Sequence, residues 1–167
     1  APGRPRPQSA LGVSSVLLSD GPRGRFKTAP SFFGSLVTGY ASRDVYFWVG
    51  GAFERSLSAG PGAHRAGDVS MASMVIGYRP ATFRDDYPSP DWRGFLEVVG
   101  EVVERDQLGA ADLSDTGGDQ VYAGLTVLGL YGSWGVAGGP AFPLYQSLNG
   151  IQTEEGVRLA LNLTFWF

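Results

Sequence analysis

Along the closing stretch VRLALNLTFWF, apolar side chains occupy every second position. Val157, Leu159, Leu161, Leu163, Phe165 and Phe167 fall on one side, and Arg158, Ala160, Asn162, Thr164 and Trp166 on the other. A helical period would wrap the apolar groups all round the axis and leave Arg158 and Asn162 without a face of their own, so the alternation predicts a strand. In GDQVYAGLTVLGLY one face takes Val121, Ala123, Leu125, Val127 and Tyr131, and the other Gln120, Tyr122, Gly124 and Thr126. In RGFLEVVGEVVER the apolar set is Leu96, Val98 and Val102, and the charges Arg93, Glu97, Glu101 and Arg105 share the opposite set.

Further strands are expected from Gln8 (QSALGVSSVLLS), Phe32 (FFGSLVTGYAS), Arg43 (RDVYFWVGGAFERS), Asp68 (DVSMASMVIGYRP) and Gly132 (GSWGVAGGPAFPLYQ). That makes about eight strands, each near the 9 to 11 residues that cross a bilayer at a tilt. Read backwards from the last strand, the linkers alternate long and short: SLNGIQTEEG, YGS, DQLGAADLSDTGGD, then LSAGPGAHRAG, ASRD and DGPRGRFKTAP. PATFRDDYPSPD, at a place where a short turn is expected, is the exception. Outer-membrane barrels show this rhythm, with long extracellular loops and short periplasmic turns. Pro140 and Pro143 each remove a ladder donor from their strand and mark a bulge or a break in pairing.

Composition decides which face is wet. Charged residues make up only 17% of the chain against 43% hydrophobic, below the roughly 25% charged of soluble domains. The less apolar strand faces carry Arg79, Arg93, Glu97, Glu101 and Arg158 among Gly, Ala, Ser and Thr. A soluble barrel buries its apolar face inward. Here the pattern fits the inverse: an apolar face toward lipid and a polar lumen, with ring closure satisfying the backbone. Aromatics near the expected strand ends, namely Tyr40, Tyr46 and Trp48, Tyr131 and Trp134, and Trp166 and Phe167, suit interfacial girdles. The fold class expected is therefore all-β, an antiparallel up-and-down transmembrane β-barrel with about eight strands in this chain, either complete or part of a larger barrel. The 167 residues read as one domain, with residues 1–8 as a flexible periplasmic segment. The start APGRPRPQ reads as processed after a secretory signal or as cut from something longer.

A terminal Phe preceded by apolar residues at every second position resembles the signal by which the outer-membrane assembly machinery recognises barrels. The matching residues are Leu159, Leu161, Leu163, Phe165 and Phe167. The last third, through GGDQVY, the stretch around Pro143 and Gln146, the LNG from Leu148 to Gly150 and the closing strand, is similar to the phenol-degradation meta-pathway family of transporter-like outer-membrane barrels. That resemblance implies the outer membrane of a Gram-negative bacterium and passive passage of small solutes, including hydrophobic ones. The ending WF departs from the more usual aromatic-Arg-Phe of that family.

Arg79, Arg93, Glu97, Glu101, Arg105 and Arg158 are the lumen candidates. They form either a charge constriction that selects solutes or a salt-bridged plug filling a narrow barrel. The second reading makes the protein a non-conducting structural or interaction barrel, acting through its loops or lipid face on a protein partner or another copy. A third, a lipid-modifying enzyme, would use His64 with Ser56, Ser58 and Asp68, but no G-x-S-x-G elbow supports a triad, and a solvated loop histidine is the expectation. Asp112, Asp115 and Asp119 lack the spacing of a Ca²⁺ loop, and the Asn162 sequon lies inside a strand. Cys is absent, which excludes disulfides and thiolate metal sites. Net charge −3, with no basic cluster outside the first few residues, argues against nucleic acid. The expected partners are outer-membrane lipid and lipopolysaccharide, with no metal, no cofactor and no enzymatic role.

Overall fold

A computed structural model describes residues 30–83 and 89–165. The strand expected from Gln8, the segment 1–8 and the terminal Trp166 and Phe167 lie outside these residues. Among the described residues there are ten strands: β1 Ser31–Ala41, β2 Val45–Ser56, β3 His64–Arg65, β4 Val69–Tyr78, β5 Asp91–Val103, β6 Gln107–Leu108, β7 Ala111–Asp112, β8 Gly118–Tyr131, β9 Trp134–Leu148 and β10 Arg158–Phe165. The seven long ones pair in chain order into a single antiparallel sheet, β1-β2-β4-β5-β8-β9-β10. This sheet is curled into a half-barrel. All seven coincide with strands read from alternation, because period two is the one pattern that separates polar from apolar residues throughout.

One end of the sheet carries the connections 42–44, 79–90 and 132–133, and the other carries 57–68, 104–117 and 149–157; we call them the turn end and the loop end. At the turn end, Ser42 Oγ accepts from the Val45 amide at 2.9 Å, an ST-type turn that closes the β1–β2 hairpin. At the loop end, β3 pairs with β6 and β6 with β7, so two of the loops are knitted into a small three-stranded sheet. Both edge strands of the large sheet, β1 and β10, run from the loop end to the turn end.

The sidedness is inverted relative to a soluble sheet. Large apolar residues stand exposed on the convex face, from Leu36 and Val49 through Ile76, Leu96 and Leu125 to Val136. On β10, Leu159 and Leu161 are 82% and 81% exposed. Aromatics crowd both margins of that face: Tyr40, Phe47, Tyr78, Trp92, Tyr131, Trp134 and Phe165 toward the turn end, and Phe32, Phe53, Phe142 and Tyr145 toward the loop end. Most of the buried side chains on the sheet are polar: Glu97, Glu101, Gln120, Thr126 and Ser56, with Tyr46, Val99, Tyr122 and Ala141. A soluble monomer rarely exposes a contiguous apolar area larger than a few hundred Å².

Tyr46 and Trp48 do not belong to the girdle expected of them. Both lie on the concave side, stacked with ring centroids 5.6 Å apart and each 5.9 Å from Phe95. Phase explains the error: β2 begins at Val45, so Val45, Phe47 and Val49 take the convex side and the intervening aromatics turn inward. Gly77, paired directly with Phe95, makes room, since a Cβ there would strike the Phe95 ring. The same device recurs in the direct pairs Gly34 with Phe53, Gly39 with Trp48 and Gly129 with Trp92, where the aromatic ring lies over the glycine. This accounts for part of the high glycine content: each pair covers backbone with an aromatic face.

Prolines do not end β9. The strand continues through Pro140 and Pro143, and the register with β8 shifts where Val121 faces Tyr145 but Tyr122 faces Pro143. Leu144 is the extra residue of this bulge, which absorbs a missing donor. A Cβ at Gly139 would overlap the Leu125 carbonyl, so the β8 backbone lies directly against this glycine beside Pro140.

Candidate functional site

The concave face toward the loop end holds one connected polar cluster. Gln120 and Tyr122 come from β8, Glu101 from β5, Gln146 from β9, Arg158 from β10, and Glu155 from the loop 149–157. Alternation puts the strand residues on one side, and antiparallel pairing brings Glu101 opposite Gln120 and Gln120 opposite Gln146. Arg158 sits at the centre. Its guanidinium carbon lies 3.8 Å from the centroid of the Tyr122 ring, within the range of a cation–π contact. Nε donates to Glu155 Oε2 at 2.8 Å, Nη2 donates to Gln120 Oε1 at 3.2 Å, and Nη1 lies 3.9 Å from Glu101 Oε2.

The Tyr122 hydroxyl is 2.8 Å from both Glu155 Oε2 and Gln120 Oε1 and donates to one at a time. Gln146 fixes the backbone of Glu155 from both sides: its Nε2 donates to the Glu155 carbonyl at 2.7 Å, and its Oε1 accepts from the Glu155 amide at 2.9 Å. Glu101 is 6% exposed and Glu97, deeper along β5 and hydrogen-bonded to Thr126, is 9% exposed. Two carboxylates, Glu101 and Glu155, thus converge on one guanidinium, with the buried Glu97 further along the same strand as Glu101. Such a cluster orders side chains across four strands and leaves the wall at this level acidic.

A second charged group lies at the turn end. Asp91 accepts from Arg79 Nε at 2.8 Å and from Arg93 Nη2 at 2.6 Å, and the Arg93 guanidinium carbon stands 5.3 Å from the Tyr46 ring centroid. Arg79 follows the last residue of β4, and Arg93 is on the concave side of β5. The six lumen candidates therefore divide. Glu97, Glu101, Arg93 and Arg158 lie on the concave face, Arg79 at its rim, and Arg105 away from it. Arg105 stands apart because β5 ends at Val103 and Glu104 N bonds to the Asp68 carbonyl. The chain leaves the sheet there, alternation stops applying, and Arg105 is exposed with its Nη2 3.4 Å from Asn149 Oδ1.

Sequence reasoning did not single out Tyr122, Gln120 and Gln146 as site residues. The period-two split had already placed Tyr122 and Gln120 on the polar face, and that was the available signal. Glu155 had none, since its loop has no period. Of the assembly residues, Leu159, Leu161, Leu163 and Phe165 all stand on the convex side of β10, and Phe167 is outside the described residues.

His64 meets neither Ser56 nor Ser58. Its Nε2 is 3.3 Å from Asp106 Oδ2, while Asp68 accepts from the Ser56 amide at 3.0 Å and lies near Arg55 and Arg65. Asp106 is itself a structural hub: it accepts from Gly67 N at 2.9 Å, and its own amide donates to Thr116 Oγ1 at 2.9 Å. The histidine belongs to the tie between the loops 57–68 and 104–117. Asp112 accepts from Gln107 Nε2 and Asp115 from Ile151 N, so these aspartates hold loops in place. Among the described residues, no group of three or more acidic or histidine side chains is placed to hold a metal.

No protein-family model, curated protein or solved structure matches the chain.

Proposed function

We propose that the chain is an integral outer-membrane β-barrel whose polar concave face lines a passive pathway for small solutes. One observation carries this reading: the sheet exposes its aliphatic residues on the convex side between two aromatic margins and buries its carboxylates on the concave side. Lipid on the convex face removes the exposed leucines of β10 from water, which stabilises by on the order of 2 kcal/mol per side chain. Aromatic belts at both edges match what headgroup interfaces select. On this reading the turn end faces the periplasm, the knitted loop end faces outward toward lipopolysaccharide, and β10 supplies the strand that the assembly machinery recognises.

Strand direction sets what closure requires. Because β1 and β10 run the same way, antiparallel closure needs an odd number of additional strands. The alternating stretch from Gln8, outside the described residues, is the sequence expectation for one. The solute-passage role draws also on the resemblance of the last third to transporter-like barrels.

One observation favours the alternative of a non-conducting barrel: Arg158 with its four partners, and Tyr46, Trp48, Phe95 and Arg93 nearer the turn end, fill much of the concave face. Planar-bilayer recording decides between them. Refolded protein gives discrete current steps if the lumen conducts. Folded, inserted protein that never passes current leaves the non-conducting barrel.

A further inference from the structure

The loop 149–157 is anchored at its start, where Asn149, Ile151 and Gln152 bond to Thr116, Asp115 and Gly117 of the loop 104–117. Loops 57–68 and 104–117 are tied to each other, by β3 with β6 and by Asp106 with Gly67. Among the described loop residues, Glu155 is the one whose side chain enters the concave cluster, through Tyr122 and Arg158. Its backbone is held at the same time by Gln146. We propose that residues 149–157 form an in-built strap that narrows the lumen at the loop end, with Glu155 as the latch and Tyr122 and Arg158 as its catch.

Two features make the strap able to leave. Gly156, whose missing Cβ faces open space, lies just past the latch and serves as its hinge, while Gly150, at φ +63 and packed against Ser114 and Asp115, fixes the start of the strap. The latched state is also incompletely satisfied: Glu155 Oε1 and Gln152 Oε1 are buried without a hydrogen-bond partner among the described residues, a penalty that opening to water relieves. When the strap lifts, Arg158 keeps its place, because Glu101, Gln120 and the Tyr122 ring still hold it. The catch is preorganised and the latch is what moves.

The inference rests on the concave face being a lumen, and its test does not depend on current. The chain has no cysteine, so Val99→Cys, on the concave side opposite Tyr122 and 8% exposed, reports access beneath the strap. The rate at which a small water-soluble thiol reagent modifies this cysteine is measured in folded, detergent-solubilised protein. Glu155→Ala raises the rate about tenfold, the scale of losing a charge-assisted hydrogen bond; Tyr122→Phe raises it less, and Glu154→Ala, on an exposed neighbour, leaves it unchanged. Equal rates with and without Glu155→Ala overturn the strap. If Glu155→Ala does not fold, Tyr122→Phe decides by the same criterion. Faster labelling with no current from any variant keeps the strap and removes the conducting reading, and current with unchanged labelling does the reverse.

Discussion

Leu125→Arg lowers the stability of the protein refolded into lipid bilayers by about 2 to 4 kcal/mol, the cost of an arginine near the midplane of a membrane barrel. Leu125 lies midway along β8 on the convex side and is 58% exposed. In a water-facing sheet the same change at so open a site would stay within about 0.5 kcal/mol. The two outcomes differ severalfold, and what separates them is the medium that touches Leu125. Denaturant titration in vesicles of defined lipid measures the difference. A control at Ser70, convex but next to the loop-end start of β4, should cost less as Arg, because the penalty falls toward the interface.

Arg158→Ala is expected to cost about 3 kcal/mol, the range for breaking a buried ion pair from one side. The loss does not come from the missing contacts alone. Glu101 and Glu155 would remain close on the concave face without the guanidinium that now lies between them. The arginine's stacking on Tyr122 would go as well. Arg158→Lys should recover only part of this, since a point charge cannot donate in two directions while stacking. Adding Glu101→Gln to Arg158→Ala should restore stability relative to Arg158→Ala alone, by removing one of the stranded charges. Denaturant midpoints of the single and double variants give the coupling. A loss below about 0.5 kcal/mol for Arg158→Ala, the size of an exposed surface pair, would mean the cluster is solvated and holds nothing.

Legibility followed the period. The seven long strands, the convex placement of Leu159, Leu161 and Leu163 and the shared face of Glu97, Glu101 and Arg93 could all be read from the sequence, because a strand alternates as long as it remains a strand. The reading failed where that condition ended. Arg105 kept the alternating phase on paper, yet the chain had already turned at Glu104. Tyr46 and Trp48 were assigned by nearness to a strand end, and the phase of β2 placed them inside. Glu155 was invisible because it lies in a loop without a period, and its position depends on the side chains of Gln146, across the β9–β10 connection, and of Tyr122 on β8. Pro140 and Pro143 announced an irregularity correctly, but its form, a bulge at Leu144 with the strand continuing, depends on the partner strand β8.

The central claim is that lipid meets the convex face and water the concave one. Single cysteines introduced in turn at positions 120 to 128 of β8, spin-labelled after reconstitution into bilayers, test it through collisions with oxygen, which concentrates in lipid, and with a polar nickel chelate, which stays in water. The account predicts oxygen-dominated collisions at the sites of Val121, Ala123, Leu125 and Val127, strongest at Leu125, and low oxygen access at Gln120, Tyr122, Gly124 and Thr126. Nickel-dominated collisions at Leu125 and Val127, or no period-two alternation along the strand, would contradict it.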